Sequence, residues 1–119
     1  MTNYKTLEVW KLSMETVKGI YEITKTYPRE EKYGLIGQTN RAAVSIACNI
    51  AEGMGRNFKK DTIQFLHVSR GSAYEVETLL SIAQMLNLID EKIYINLNKN
   101  LERNIQMLNG LIKYLEQKS

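Results

Sequence analysis

A chain of 119 residues with 44% hydrophobic residues is long enough to bury a core, and its single proline gives no sign of a linker, so residues 1–119 suit one globular domain. The single cysteine, Cys48, excludes an internal disulfide and fits a reducing compartment. The net charge of +3, from 16 basic and 13 acidic residues, is too modest to indicate a nucleic-acid partner by itself.

The first predicted helix covers residues 6–26 and carries one apolar stripe of the coiled-coil type. The stripe consists of Leu7, Trp10, Met14, Val17, Tyr21 and Thr24. Tyr27-Pro28 ends the helix, because proline disfavours α geometry in the residue before it. This amphipathic start lacks the apolar core of a signal peptide, and no apolar run approaches the ~20 residues of a membrane span. We therefore expect a cytoplasmic protein without a membrane partner.

The second predicted helix covers residues 30–53 and is small or apolar on most of its surface. Its main stripe is Ile36, Thr39, Ala43, Ile46 and Ile50, which Ala42, Ala47 and Ala51 widen. The polar arc is narrow and consists of Gln38, Arg41, Ser45, Asn49 and Glu52. Such a helix is typically buried on more than one side, so the pattern favours a homo-oligomer. The glycines of Gly53-Met54-Gly55 are expected to stop the helix.

The third predicted helix covers residues 58–86, with Asn57 as its N-cap. Its core face is predicted to consist of Phe65, Leu66, Ser69, Ala73, Val76, Leu80 and Ala83. Gly71 lies in mid-helix, where glycine costs roughly 1 kcal/mol relative to alanine. This cost makes sense if another backbone passes close to Gly71.

The fourth predicted helix covers residues 91–117, with Asp90 as its N-cap. Its heptad-like stripe consists of Ile93, Leu97, Leu101, Leu108, Leu111 and Leu115, with Asn104 among them. The connections between helices are short, which makes neighbouring helices antiparallel. No segment shows the sustained alternation of a strand. The sequence therefore predicts an all-α, antiparallel, up-down four-helix bundle.

No catalytic or metal site is expected. His67 is the only histidine, and with Cys48 it offers too few ligands for a zinc site or a di-iron site. Cys48 lies among small residues and is expected to pack as a small hydrophobe. Glu75 and Glu77 are two residues apart on a helix and do not face each other. We therefore expect a protein that is not an enzyme and holds no cofactor or metal.

Several polar residues flank the core stripes of the second and third helices and are expected to serve structure or assembly. They are Arg41, Asn49, Glu52, Arg70 and Glu77. Glu52 can pair with Arg56 at i,i+4, and Tyr74 shares one flank with Arg70 and Glu77. Two alternatives remain open: solvated surface pairs that contribute little, or pairs covered within the bundle or between subunits.

Arg56, Lys59 and Lys60 cluster at the turn between the second and third helices, beside Phe58. Basic residues next to an aromatic ring can hold a phosphate backbone and a base, so these four are candidate nucleic-acid-binding residues. The alternative is a solvated turn whose lysines aid solubility. An oligomer would repeat the cluster on each of its copies and favour RNA binding.

Two sequence blocks resemble the signature of one bacterial family. Residues 38–53 contain the pattern Ser-Ile-x-x-Asn-Ile-Ala-Glu-Gly, and residues 65–80 contain Arg-Gly-Ser-x-x-Glu-x-Glu. Both are similar to the four-helix-bundle proteins encoded in 23S ribosomal RNA intervening sequences, often labelled S23 ribosomal protein. That family is related to the accessory variability protein of diversity-generating retroelements.

The resemblance implies a bundle that assembles as a ring, typically a homopentamer, with no known enzyme activity. The retroelement relative implies binding to RNA and to a reverse transcriptase. Two functions are therefore expected. The first is a non-catalytic, oligomeric RNA-binding or RNA-associated scaffold that takes structured RNA. The second is a protein-protein adaptor ring that docks a partner protein such as a reverse transcriptase.

Overall fold

The computed structural model describes residues 3–118 and folds them into four long helices. Helix α1 spans Glu8–Thr24, α2 spans Gly37–Met54, α3 spans Lys59–Met85 and α4 spans Glu91–Gln117. Helices that follow each other along the chain pack side by side, and α4 returns to pack against α1. No strand occurs in this part of the chain. The predicted all-α four-helix bundle is confirmed, and it measures 49 × 24 × 20 Å.

Aliphatic side chains from all four helices fill one continuous core. Ile20, Ile46, Leu80 and Leu108 are fully buried, one from each helix. Full burial of such a side chain stabilises the fold by about 1.5–3 kcal/mol. The core also admits Asn104, whose amide donates 2.9 Å hydrogen bonds to Thr16 Oγ1 on α1 and to the Asn100 carbonyl.

The buried face of α1 lies beside the predicted stripe. Val9, Leu12, Thr16, Ile20 and Thr24 are buried on this helix. Met14 and Tyr21 remain 45% and 41% exposed, so the prediction that they line the core was wrong. Thr16 can enter the core because its hydroxyl donates to the Leu12 carbonyl at 2.9 Å and leaves no unpaired donor. Because the face that carries Thr16 points into the core, Met14 and Tyr21 lie at the surface.

Helix α2 begins at Gly37, seven positions later than the predicted residue 30. The buried Tyr27 is followed by a 3₁₀ turn at Arg29–Glu31 and a π-type turn at Lys32–Ile36. Gly34 leaves helical geometry inside the second turn, with φ −105° and ψ −106°. The backbone kinks here while the side-chain pattern still looks helical, which is why periodicity placed the helix start too early.

The later helices follow the sequence more closely. Asp90 caps α4 as predicted, since its carboxylate accepts from the Ile93 N–H at 2.8 Å. The predicted core face of α3 is buried apart from Phe65, which is half-buried. The N-cap of α3 is Phe58 and not Asn57, and Phe58 makes no side-chain capping bond. That helix therefore begins at its exposed aromatic residue.

Candidate nucleic-acid interface

The α2–α3 turn and the last turn of α4 form one basic end of the bundle. We call Arg56, Phe58, Lys59, Lys60 and Lys118 the basic end. Lys59 Nζ donates to the Lys118 carbonyl, which places the end of α4 beside the turn. Phe58 is 70% exposed and Lys60 is exposed. The three predicted cations therefore flank an accessible ring in the sequence, and the fold adds Lys118.

Sequence reasoning missed Lys118 because it lies 59 positions after Lys59. The usable signal was the antiparallel arrangement of α3 and α4, which brings the start of one helix to the end of the other. Lys118 Nζ also lies 5.6 Å from the ring centroid of Tyr114. A second exposed aromatic side chain thus belongs to the same end of the bundle.

Two of the three predicted cations, Arg56 and Lys59, already have partners in the chain, and the partner of Lys59 is the Lys118 carbonyl. Arg56 Nη2 lies 3.6 Å from Glu52 Oε2, which confirms the expected i,i+4 pair. The Arg56 guanidinium also lies 4.5 Å from the Phe65 ring centroid. The Arg56–Glu52 pair is about half exposed, so it contributes little to stability and a phosphate can compete for Arg56.

A close contact between α2 and α3 holds the basic end in place. Thr62 Oγ1 donates to the Gly53 carbonyl at 2.7 Å. A Cβ atom at Gly53 would lie only 2.8 Å from Phe65 Cβ, so no larger residue fits without a shift. Gly53 therefore does more than end the helix, because its missing side chain lets α3 approach.

Asn49 joins the hydrogen bonds that connect α2 to α3. Its Nδ2 donates to the Ser45 carbonyl at 2.8 Å and to Ser45 Oγ at 2.9 Å. Ser45 Oγ and Ser72 Oγ are 2.8 Å apart across the two helices. Arg41 is exposed on the same helix and has no carboxylate partner within residues 3–118.

Arg70 and Glu77 do not pair with each other. Arg70 donates to Asn109 Oδ1 on α4 at 2.7 Å and to His67 Nδ1 at 2.9 Å. Burial raises the pKa of Glu77, and the negative charge of Glu102 on α4 raises this pKa further. The ion pairs of residues 3–118 are Lys11–Glu8 and Arg56–Glu52, both exposed. The expected charged pairs are therefore not covered within one chain.

Some small residues of α2 and α3 face open space. Cys48 is exposed, so the expectation that it packs inside the chain was wrong. A Cβ atom at Gly71 would have no neighbour within 4 Å, so no backbone of the same chain passes close to it. These positions leave a surface of small side chains on the outside of the bundle.

A cleft of about 290 Å³ opens at the other end of the bundle, between the end of α1 and the start of α2. We call it the α1–α2 cleft, and its lining includes Tyr21, Lys25, Tyr27, Arg29, Lys32 and Asn40. No motif or periodic pattern in the sequence singles out these residues as one site. The only local signal was the run of cations at 25, 29 and 32, which three nearby glutamates balance in a charge count.

A family model described as 23S rRNA-intervening sequence protein matches residues 5–110. The chain belongs to this family. Among solved structures, it is similar to the crystal structure of a protein of unknown function from the S23 ribosomal protein family of Bacteroides thetaiotaomicron VPI-5482. The two share 25% sequence identity and a TM-score of 0.83, over 88% of this chain and 98% of that chain. No curated protein matches the chain.

The family resemblance is thereby confirmed, whereas the link to the accessory variability protein stays a prediction. The family match includes the α2–α3 turn and the whole α1–α2 cleft, but it ends before Tyr114 and Lys118. Within the part of the chain that the structure describes, no group of three His, Cys, Asp or Glu residues could hold a metal ion. No described helix is long and apolar enough to span a membrane.

Proposed function

We propose that this member of the 23S rRNA-intervening sequence protein family is a non-catalytic RNA-binding scaffold that works as a homo-oligomer in the bacterial cytoplasm. The observation that carries the proposal is the basic end. Arg56, Lys59 and Lys60 flank the exposed Phe58 in the sequence, at the start of α3. Cations hold phosphates without regard to sequence, while an exposed ring can stack on an unpaired base.

The position of the basic end supports this function. The N-terminus of α3 adds partial positive charge from its unpaired N–H groups, which favours a phosphate there. The nearby Glu52 and Asp61 reduce the field of a single copy. A charge of +3 per chain gives weak binding, but an oligomer sums the charges of its copies. Because phosphate binding releases counterions, the resulting affinity depends steeply on salt.

Three features of the chain surface support assembly. Met14 on α1 and Val68 on α3 are apolar and exposed. Gly71 has open space around it in mid-helix, where glycine is unfavourable unless something packs there. Glu77 has no cationic partner among the described residues although burial raises its pKa. A second copy can cover the apolar residues and supply a cation. The number of five subunits rests on the family resemblance alone.

The RNA-binding proposal is tested by titrating a labelled structured RNA at several salt concentrations. The test variant is Arg56→Ala/Lys59→Ala/Lys60→Ala, and Lys18→Ala/Lys92→Ala/Lys99→Ala is a control that removes the same charge from exposed positions elsewhere. Each lost phosphate contact should flatten the logarithmic salt dependence by roughly one unit or slightly less. Equal affinities and equal slopes for both variants, with oligomers intact, would exclude the basic end.

Assembly is tested by light scattering at micromolar concentration. A Gly71→Leu variant adds a side chain that has free space in the single chain. In an oligomer that covers Gly71, the variant should lose mass while its helical circular dichroism is retained. A monomeric wild type would contradict the oligomer, whereas a stable dimer would contradict only the number five.

A second candidate function is an adaptor that docks a partner protein, such as a reverse transcriptase. The observation that favours it is a shallow apolar groove between α1 and α4, lined by Gly19, Ile23, Ile93 and Leu97. An apolar groove of this kind accepts protein side chains better than phosphates. Recovery of the native complex with and without nuclease separates the two functions. A protein partner that survives nuclease treatment supports the adaptor.

A further inference from the structure

The α1–α2 cleft exists because the chain between these helices is long and irregular. Tyr27 turns inward and is only 6% exposed, and its N–H donates to the Thr24 carbonyl at 3.1 Å. The chain then passes through a 3₁₀ turn and a kinked π-type turn before α2 begins. A concave space of about 290 Å³ remains between these turns and the end of α1. That volume is close to the lower limit for small-molecule sites.

The charged side chains that line the cleft are all cationic. Lys25, Arg29 and Lys32 line it, and none of them forms an ion pair with a carboxylate of residues 3–118. Glutamates occur in the same stretch of sequence, but none lines the cleft. The carboxylate of Glu31 is instead directed to the Leu35 N–H, at 3.4 Å. The cleft is therefore positive although the surrounding segment is neutral.

Its uncharged polar groups are also mainly donors. Asn40 Oδ1 accepts from Thr24 Oγ1 at 2.9 Å, which leaves the Asn40 amide N–H groups as the free part of that side chain. The Tyr27 side chain forms part of the wall, with its hydroxyl buried away from solvent. Three cations and an amide suit a ligand that is rich in anionic oxygens.

An aromatic ring stands at the rim of the same cleft. Tyr21 is one of its lining residues and is 41% exposed. An accessible ring beside a group of cations can stack on a base while the cations hold the phosphate. We propose that the α1–α2 cleft binds one nucleotide, with Lys25, Arg29 and Lys32 around its phosphate and Tyr21 against its base. The nucleotide is either free or part of an RNA strand.

The proposal rests on the cleft and holds whether or not the basic end binds RNA. The two regions lie at opposite ends of the bundle, because the end of α1 and the end of α2 point in opposite directions. The Arg56→Ala/Lys59→Ala/Lys60→Ala variant should therefore retain its nucleotide affinity. Failure of one site is thus distinguishable from failure of the other.

The experiment is a calorimetric titration of the full chain with three probes. Adenosine monophosphate tests the free nucleotide, a short single-stranded RNA with a 5′-phosphate tests the strand, and adenosine tests the need for phosphate. The variant Lys25→Ala/Arg29→Ala/Lys32→Ala should weaken phosphate-dependent binding at least about tenfold, since it removes several charge-assisted contacts. The control variant Lys11→Ala/Arg103→Ala/Lys113→Ala removes the same charge from exposed positions away from the cleft and should bind like the wild type.

A second variant, Tyr21→Ala, removes the exposed ring that the proposal places against the base. It should weaken nucleotide binding by about fivefold or more, while the helical circular dichroism of the free protein is retained. Binding of adenosine monophosphate identifies a free nucleotide as ligand, and binding of the oligonucleotide alone identifies RNA. The proposal is overturned if neither phosphate-bearing probe binds, if adenosine binds equally well, or if both triple variants behave alike.

Discussion

The two ends of the bundle carry similar side chains but arrange them differently. The predicted turn contributes Arg56, Lys59 and Lys60 with one aromatic ring, and the α1–α2 cleft has three cations with two tyrosines. At the basic end, Arg56 is paired with Glu52 and Lys59 with a backbone carbonyl. The cleft cations have no carboxylate partner among residues 3–118, although Lys32 Nζ lies 5.5 Å from the ring centroid of Tyr33. Equal charge therefore does not mean equal availability.

The connections between the helices explain the difference. Residues 55–58, four in number, join α2 to α3, and the two helices approach each other closely where Gly53 meets Phe65. Side chains on such a tight turn lie on the outside, where Arg56 pairs with Glu52 one turn back and Lys59 donates to the Lys118 carbonyl at the end of α4. Residues 25–36, twelve in number, join α1 to α2 and leave a concave space. The same residue types thus form a convex surface at one end and a potential ligand site at the other.

The largest expected effect comes from filling the close contact at the basic end. Gly53→Val places a branched side chain where even a Cβ atom would lie 2.8 Å from Phe65 Cβ. Overpacking of this kind should lower the free energy of unfolding by about 1–3 kcal/mol. Urea denaturation measures the change. The matched control is Gly110→Val, because a Cβ atom at Gly110 has no neighbour within 4 Å. Equal losses in both variants would show that α2 and α3 do not need the close approach.

The second prediction compares one threonine at each end. Thr62→Val removes the hydrogen bond to the Gly53 carbonyl, and Thr24→Val removes the one to Asn40 Oδ1. Each should cost about 1 kcal/mol of stability. Only Thr24→Val should also weaken nucleotide binding, because it releases a side chain that lines the cleft. Thermal melting and calorimetric titration measure the two effects. A nucleotide affinity that falls equally in both variants would place the site elsewhere.

The sequence predicted those features that depend on neighbours along one helix. The Asp90 cap, the Arg56–Glu52 pair and most of the α3 core face follow from spacings of three and four residues. Local periodicity fixes such contacts, since residues one turn apart share a face whatever the rest of the chain does. The four basic-end residues were found for the same reason, because they are adjacent in sequence.

The features that were missed depend on how distant segments approach each other. The prediction of the buried face of α1 was wrong because it placed Met14 in the core. Thr16 is buried instead, since its hydroxyl donates to the Leu12 carbonyl of the same helix. The cleft has no periodic signal, since its shape comes from the kink at Gly34 and the inward turn of Tyr27. A charge count hides it too, because the glutamates that balance the segment lie outside the cleft.

Glu77 lies on α3 between the two ends of the bundle and tests the effect of a charge that has no partner in the described chain. Burial, and then the charge of Glu102, raise its pKa, so folding favours the protonated form. The stability that Glu77 contributes is therefore complete below its unfolded pKa of 4.5 and is lost as the pH rises through the higher folded pKa. Glu77→Gln should match the wild type at pH 4 and melt higher than the wild type at pH 7. Thermal melting of dilute, monomeric protein at both pH values measures this difference.

Two results would change that interpretation of Glu77. A variant that melts like the wild type at both pH values would show that water screens the carboxylate fully. In a parallel comparison at micromolar concentration, a variant that melts lower than the wild type at pH 7 and has a lower mass in light scattering would show that a cation of a second copy pairs with Glu77. The second result would favour assembly and would make Glu77 comparable with the partnered charges of the basic end.

The smallest effect on stability is expected from breaking the Arg56–Glu52 pair. This pair distinguishes the basic end from the cleft, whose cations have no carboxylate partner. Glu52→Gln removes the carboxylate that holds Arg56 and leaves a side chain of similar shape. Because the pair is about half exposed, the free energy of unfolding should change by less than about 0.5 kcal/mol. The freed guanidinium makes the basic end resemble the cleft, whose cations have no carboxylate partner. We expect RNA affinity at low salt to rise about twofold to fivefold and the salt dependence to steepen by up to about one unit.

The control for this change is Glu91→Gln, which removes the same charge from the exposed first turn of α4 at the far end of the bundle. If Arg56 contacts phosphate, Glu52→Gln should strengthen RNA binding more than Glu91→Gln does and should leave the affinity for adenosine monophosphate unchanged. Equal gains in the two variants would mean that only net charge matters and that the basic end has no particular role. A gain in nucleotide affinity with Glu52→Gln would contradict the separation of the two ends, because the cleft lies too far from residue 52 to sense a single exposed charge through screening salt.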